Sequence, residues 1–481
     1  MRNGGPRKTI GHTSCDLYGS QRRTGKVVLD GSVATSSGVV LRNWNNSAVS
    51  TPRVVVVPKN LQELIDVVKD TKYPSPLRVG GSFHSLNPCF ATDGTQILMC
   101  HFAQVDIDVV TSTVTVGAAV KMIEIRNRLR PYGMQIAVAP EIGNATAGSV
   151  SCCGTKDASL GRFGSGQVSS TVIGVKLVDA DGNVETITEA DDPEKMRIVR
   201  SSYGLLGIIF EVTFRIEKQS ILSYDYKIFD LASVPSRDKL FGGADGVLAF
   251  CLPYSNRIIA ERRRAAGGQA CISRFSRFKR LVRDKIWAEK ASLLVTLVPY
   301  NWFFNIFDRV LVLAFRILSL LGGFAARRAD SNINYKFDRI DYFDFTFWAI
   351  PVSRWEEFIP KYVTFCRDYF RETGFRASLV SSVYFINKDR KALLSFSPSE
   401  DIFTMDLADS RPNDPLWIEF NRRYDAFVSE FGARPLLNQT KQLSADIVYK
   451  TLGNDWSEFL SYHKENDPSG RFLSKYFVDL M

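Results

Sequence analysis

The chain has 481 residues, 45% of them hydrophobic and 12% aromatic, which is more than one core accommodates and predicts two globular domains. A formal charge of +10 suits nucleic acid, an anionic membrane surface or a polyanionic cofactor alike, so the location of the charge has to decide. Eight cysteines without regular spacing exclude a disulfide framework and a zinc pattern, so a reducing, cytoplasmic setting and no metal are expected, and the basic stretch through Arg22, Arg23 and Lys26 lacks a secretory pattern.

Through about Lys218 short β-type runs alternate with helical ones. Val54 to Val57 reads as a buried strand stopped by Pro58. Asn60 with Glu63 resembles a capping box ahead of Leu61, Leu64, Ile65 and Val68 at helical spacing. Strands are expected at Leu77 to Val79, Gln96 to Met99 and Thr113 to Val116, a helix at Lys121 to Tyr132, and a hairpin from Thr171 to Thr188 turning at Asp181-Gly182.

From about Gln219 the texture changes. Arginines cluster between Arg262 and Lys285, and an apolar stretch follows from Ala291 to Ala326, broken by Pro299, Asn301 and Asn305 before a helix expected over Val310 to Phe324. Residues 262–326 admit two readings: helices packed on the second domain's sheet, or a patch lying in a membrane interface with basic margins. Trp417 to Phe431 reads as an amphipathic helix.

Chemistry concentrates in three clusters. In Arg78-Val-Gly-Gly-Ser-Phe-His-Ser85 small residues lead from a strand end into His84, one of four histidines, and let backbone N–H groups approach an anion. Glu141 to Ser149, followed by Cys152-Cys153-Gly154-Thr155-Lys156, again lets a ligand lie against the backbone. Ser201 to Arg215 is a turn running into a strand buried on both faces.

The order and spacing of these clusters, with the tail Asp467-Pro-Ser-Gly-Arg-Phe-Leu-Ser-Lys-Tyr-Phe477, resemble the vanillyl-alcohol oxidase superfamily, specifically its aldonolactone oxidase branch. The resemblance implies an α+β fold: a two-part FAD-binding domain of PCMH type, residues 1–218 and 435–481, with an inserted α/β substrate domain, 219–434, built on an antiparallel sheet. It also implies FAD, attached through His84, with a cofactor-contact set of Gly80, Gly81, Ser82, Phe83, His84, Ser85, Gly143, Gly148, Ser149, Gly154, Thr155, Ile209 and Val212. Phe83 replaces the branch's glycine before the histidine. Gly154 falls where the branch has a small residue that lets dioxygen reach the flavin. After Arg434-Pro435 the branch's H-W-x-K run is replaced by Asn438-Gln-Thr-Lys441, which makes Asn438, Gln439 and Lys441 the expected polar wall at the flavin's reactive end, with Tyr384 and Arg376 next in line.

The function this implies is oxidation of a CH–OH group of a sugar, sugar lactone, polyol or lipid-linked sugar alcohol, with oxygen or another electron acceptor, at a site peripheral to a membrane and without nucleic acid. Two alternatives stay open: flavin-dependent oxidation or cyclisation of a lipophilic small molecule, and a non-enzymatic lipid- or nucleic-acid-binding protein.

Overall fold

A computed structural model describes residues 33–35, 39–138, 140–161, 164–266, 272–283, 294–295, 297–331 and 343–481. His12 and parts of the basic and apolar stretches lie outside the described residues.

The first sheet has four strands in the order Val33–Thr35, Val54–Val56, Thr95–Leu98, Leu77–Gly80, the last three parallel to one another. The helix Leu61–Lys69 connects two of them. Asn60 caps it by accepting from the Glu63 amide, and the Glu63 carboxylate accepts from the Lys59 amide one residue before the cap. Its buried Leu64, Val67 and Val68 close the layer. The strand Leu77–Gly80 lies at the sheet edge, so its carboxyl end releases the chain into the Gly81 to Ser85 loop.

The second sheet is antiparallel, with Ile208–Lys218 at its centre between Val172–Val178 and Thr113–Gly117. Val172–Val178 turns back into Val184–Thr188 through Gly182, whose φ of 78° suits the residue without a Cβ. The helices Ala445–Leu452 and Asn454–Asn466 place Val448, Leu452, Trp456 and Phe459 in the same core as Val116, Val175 and Val212. The end of the chain therefore returns to the part formed by its beginning.

The third sheet has eight antiparallel strands, from Phe324–Arg327 to Arg434–Pro435. Gly246–Leu252 shows how it is covered on both sides. Val247, Ala249 and Cys251 pack under the helices Trp355–Thr373 and Pro415–Ser429, while Leu248, Phe250 and Leu252 face Leu311, Phe315 and Leu436. The class is α+β, as expected from the sequence, the first sheet being largely parallel and the second and third antiparallel.

One expectation needs correction. A helix begins not at Val310 but at Asn301, and Asn301–Leu320 is continuous. Asn301 and Asn305, expected to break the apolar stretch, fall in its first turns, and Asp308 is buried on its inner face in an ion pair with Arg376 at 2.8 Å. A charge can sit mid-helix when a partner from a distant loop neutralises it.

Candidate cofactor groove and active site

The Gly81 to Ser85 loop lies against the segment that opens the helix Ala147–Cys152. A Cβ on Gly81 would stand 2.3 Å from Ser149 Oγ and 2.8 Å from Thr146 Oγ1, so any side chain there would have to displace both hydroxyls. Ser82 Oγ donates to the Asn144 carbonyl, tying the two segments together. At the next position φ is +54°, the left-handed conformation that glycine prefers, here adopted by Phe83. The Phe83 ring compensates by burial: it packs edge-on to Phe90, centroids 5.2 Å apart, and fills the space beside Gly80. The loop thus keeps a glycine-like backbone without the glycine.

Behind the loop, the buried Arg78 guanidinium donates to the carbonyls of Cys89, Tyr203, Gly204 and Phe472. These four acceptors come from three separated stretches of chain, so one side chain locks the groove's back wall. Carbonyls carry no formal charge, and the site keeps a net positive charge suited to an anionic ligand. The resulting groove, about 130 Å³, is lined by Gly80 to Ser85, Gly148, Ser149, Thr155, Ile209, Asn438 and Gln439, among others. Burial holds the His84 imidazole down at about 3, with Asn144 opposing that shift and Lys121 adding to it, so the ring is neutral at pH 7.

A second cavity of about 230 Å³ adjoins the first and shares His84, Ile142, Thr155 and Gln439 with it. One side is polar. Tyr384 donates to Glu141 Oε2 at 3.1 Å, and Lys156 pairs with Asp406 at 2.8 Å, the ammonium lying 4.5 Å from the Phe347 ring centroid. Burial pushes the Asp406 carboxyl up, and Lys156 pulls it back. Asp406 Oδ1 and Gln439 Oε1, on residues that line this cavity, and Asn438 Oδ1, on a residue that lines the groove, are buried acceptors without a hydrogen bond in the structure. The rest of the lining is largely apolar and includes Trp44, Phe250, Phe307, Phe343 and Val380.

Of the expected cofactor contacts, three do not line either cavity. Val212 is buried in the second sheet, paired with Val175 and Val116. The Gly143 carbonyl is used by the Ile123 amide. Gly154 faces Leu436, whose Cδ2 would stand 2.2 Å from a Cβ there, so a packed leucine occupies the side expected to admit dioxygen. Lys441 also departs from expectation. The 437–439 segment is a turn, so alternation along a strand does not apply, and the Lys441 ammonium is directed to Asp344, Ser47 and the Leu86 carbonyl. Arg376 is engaged with Asp308 and Asn305, whereas Tyr384 does reach the cavity. Glu141, Lys156 and Asp406 were passed over in the sequence. Glu141 and Lys156 flank the glycine-rich second cluster, which was the available signal; Asp406 sits in a central strand with none.

Residues 52–188 match the family model described as an FAD binding domain. The L-gulono-1,4-lactone dehydrogenase of Mycobacterium tuberculosis is 30% identical over 227 residues, 46% of this chain and 50% of that protein. The D-arabinono-1,4-lactone oxidase of Candida glabrata is 24% identical over 46% of this chain and 43% of that protein. The match therefore spans half or less of each of these curated relatives. A solvent-stable cholesterol oxidase shares the fold over 94% of this chain and 98% of its own, with a TM-score of 0.75 at 14% identity.

Proposed function

Residues 52–188 being an FAD binding domain, we propose that the chain is an FAD-dependent oxidoreductase that oxidises a CH–OH group of a hydroxylated substrate held in the second cavity. The observation that carries this reading is the shared wall: the cofactor groove and the second cavity meet at His84, Ile142, Thr155 and Gln439, so a ligand in one touches a ligand in the other. The lactone dehydrogenase and lactone oxidases among the relatives support the same chemistry.

The residues fit the cofactor. The cradle at Gly81 would admit a side chain only by displacing two hydroxyls, Arg78 supplies positive charge, and a neutral imidazole at His84 has the lone pair needed for covalent attachment to the flavin. When bound, FAD supplies a two-electron acceptor. The protein has to orient the substrate and take its hydroxyl proton. Glu141 is placed for the proton, and the Tyr384 hydroxyl fixes the carboxylate in the cavity. Asp406 Oδ1 and Gln439 Oε1 accept hydrogen bonds from substrate hydroxyls, which relieves two buried, unsatisfied oxygens. Asn438 Oδ1 does the same on the cofactor side.

A substrate with several hydroxyls matches the acceptors, and an apolar portion matches Trp44, Phe250, Phe307 and Phe343. A sugar or sugar lactone, or a sugar alcohol carrying a lipid, is the class proposed, reoxidation being by oxygen or another acceptor, with peripheral contact to a membrane. On the same reading residues 1–218 and 435–481 form the FAD-binding domain around the inserted 219–434. Purified protein tests the proposal. Flavin absorbance together with turnover on a panel of aldonolactones, polyols and lipid-linked sugars is expected; a colourless protein that cannot be loaded with FAD overturns it.

A further inference from the structure

The helix Asn301–Leu320 has two apolar faces, and only one of them is covered by the protein. Phe304, Phe307, Leu311 and Phe315 are buried. Trp302, Ile306, Val310, Leu313, Ile317 and Leu320 recur three or four residues apart and stand exposed, Leu320 at 86%. Single exposed hydrophobics are ordinary, but a full stripe along five turns is not.

A second helix extends the surface. Arg274–Leu281 exposes Phe275, Phe278 and Leu281, while its Lys279 is buried and donates to the Gly323 carbonyl at 2.6 Å and to that of Leu321, just past the end of the longer helix. The charges of the two helices are one-sided. Arg274, Arg277, Arg309 and Arg316 are exposed, and the single carboxylate in either helix, Asp308, is buried against Arg376. Of the basic stretch between Arg262 and Lys285, the first three arginines are engaged elsewhere: Arg263 is buried on Asp157 and Glu261, Arg262 is bonded to the Leu240 and Lys239 carbonyls, and Arg264 pairs with Asp225.

We propose that the outer face of Asn301–Leu320, together with Phe275, Phe278 and Leu281, embeds in the headgroup and upper acyl region of an anionic lipid bilayer. An apolar stripe whose exposed charges, among the described residues of the two helices, are all cationic is complementary to such a surface, whereas pairing with a second copy of itself would bring like charges together. No helix among the described residues is long and apolar enough to cross a membrane, so the helix lies on it. Phe307, on the inner face of the same helix, lines the second cavity. One helix thus separates bilayer from cavity, which narrows the substrate to an alcohol with a lipid portion; that narrowing rests on the oxidoreductase proposal, whereas the membrane face does not.

Flotation of the full chain with phosphatidylcholine vesicles, with and without phosphatidylserine, tests the face. The protein is expected to float with the phosphatidylserine vesicles and to be released by high salt. The variant Ile306→Ser/Val310→Ser/Leu313→Ser, which changes only exposed side chains, is expected to bind at least about tenfold less at unchanged flavin content, and Arg309→Glu/Arg316→Glu to lose the preference for phosphatidylserine. Wild-type protein that stays with the buffer, or a serine variant that floats equally well, overturns the proposal. So does a lipid-free dimer, seen by sedimentation, that the serine variant dissolves while neither protein floats. Protein that floats as expected but takes up no FAD overturns the oxidoreductase proposal and leaves the membrane face standing.

Discussion

Tyr384 and Glu141 are 243 positions apart in sequence and meet at 3.1 Å, hydroxyl to carboxylate, in the wall of the second cavity. The contact joins a strand of the eight-stranded sheet to the loop ahead of the flavin-side helix Ala147–Cys152, so it forms only when both parts of the chain are in place.

Glu141→Gln is expected to lower kcat by about 10²- to 10⁴-fold, the range for loss of a positioned general base. Tyr384→Phe, which leaves the carboxylate but removes its anchor, is expected to cost about tenfold, roughly 1.4 kcal/mol of transition-state stabilisation. Flavin content stays constant in both. Turnover of Glu141→Gln within a factor of a few of wild type would move the base elsewhere in the cavity.

His84→Ala is expected to abolish covalent flavin while leaving the groove able to hold FAD. Acid precipitation reads this directly: colour pellets with wild-type protein and stays in the supernatant with the variant. Colour in the wild-type supernatant would show that His84 shapes the groove without bonding to the cofactor.

Gly80 and Phe83 are coupled. Gly80→Ala places a Cβ 2.5 Å from Phe83 Cζ and is expected to destabilise by about 1–3 kcal/mol, the range for overpacking. Phe83→Gly relieves the positive φ but forfeits the buried ring, for a net loss of about 2 kcal/mol once strain relief is set against the cavity left behind. The double variant is expected to be more stable than the sum of the two losses, because the ring that clashes is gone. Urea denaturation of the four proteins measures the coupling, and strict additivity would refute it.

Asp425 gives a pH signature. Burial raises its carboxyl from 3.8 to about 7, against the hydrogen bonds it accepts from Trp348 Nε1 and the Gln442 amide. The folded form holds a proton that the unfolded chain has released, so this contribution is fully present below pH 3.8 and is lost as pH rises through 7. The slope approaches about 1.4 kcal/mol per pH unit within that window. Asp425→Asn is expected to flatten the slope between pH 4 and 7. An unchanged pH dependence of stability would show that Asp425 is ionised in the folded protein.

The local elements were legible in the sequence because their causes are local. The Asn60 and Glu63 cap, the Asp181-Gly182 turn and the β-type run from Thr113 depend on residues within a few positions of one another, and the structure forms each of them. The Gly80 to His84 loop was legible for the same reason, since small residues at a strand end leave few other conformations. The partners of individual side chains were not. Whether Lys441 points into the cavity depends on Asp344 and Ser47, which come from two distant stretches, and a buried ammonium follows its carboxylate rather than its sequence neighbours. Gly154 meets Leu436 for a comparable reason: packing between segments nearly 300 residues apart decided which side of that glycine is filled. Asn301 and Asn305 read as breaks in one dimension and lie inside the helix Asn301–Leu320 in three, where Asp308 is the buried partner of Arg376. Residue type and spacing thus determined which elements form and where the cofactor loop lies, and tertiary packing decided which charges are neutralised and which are left facing the cavity.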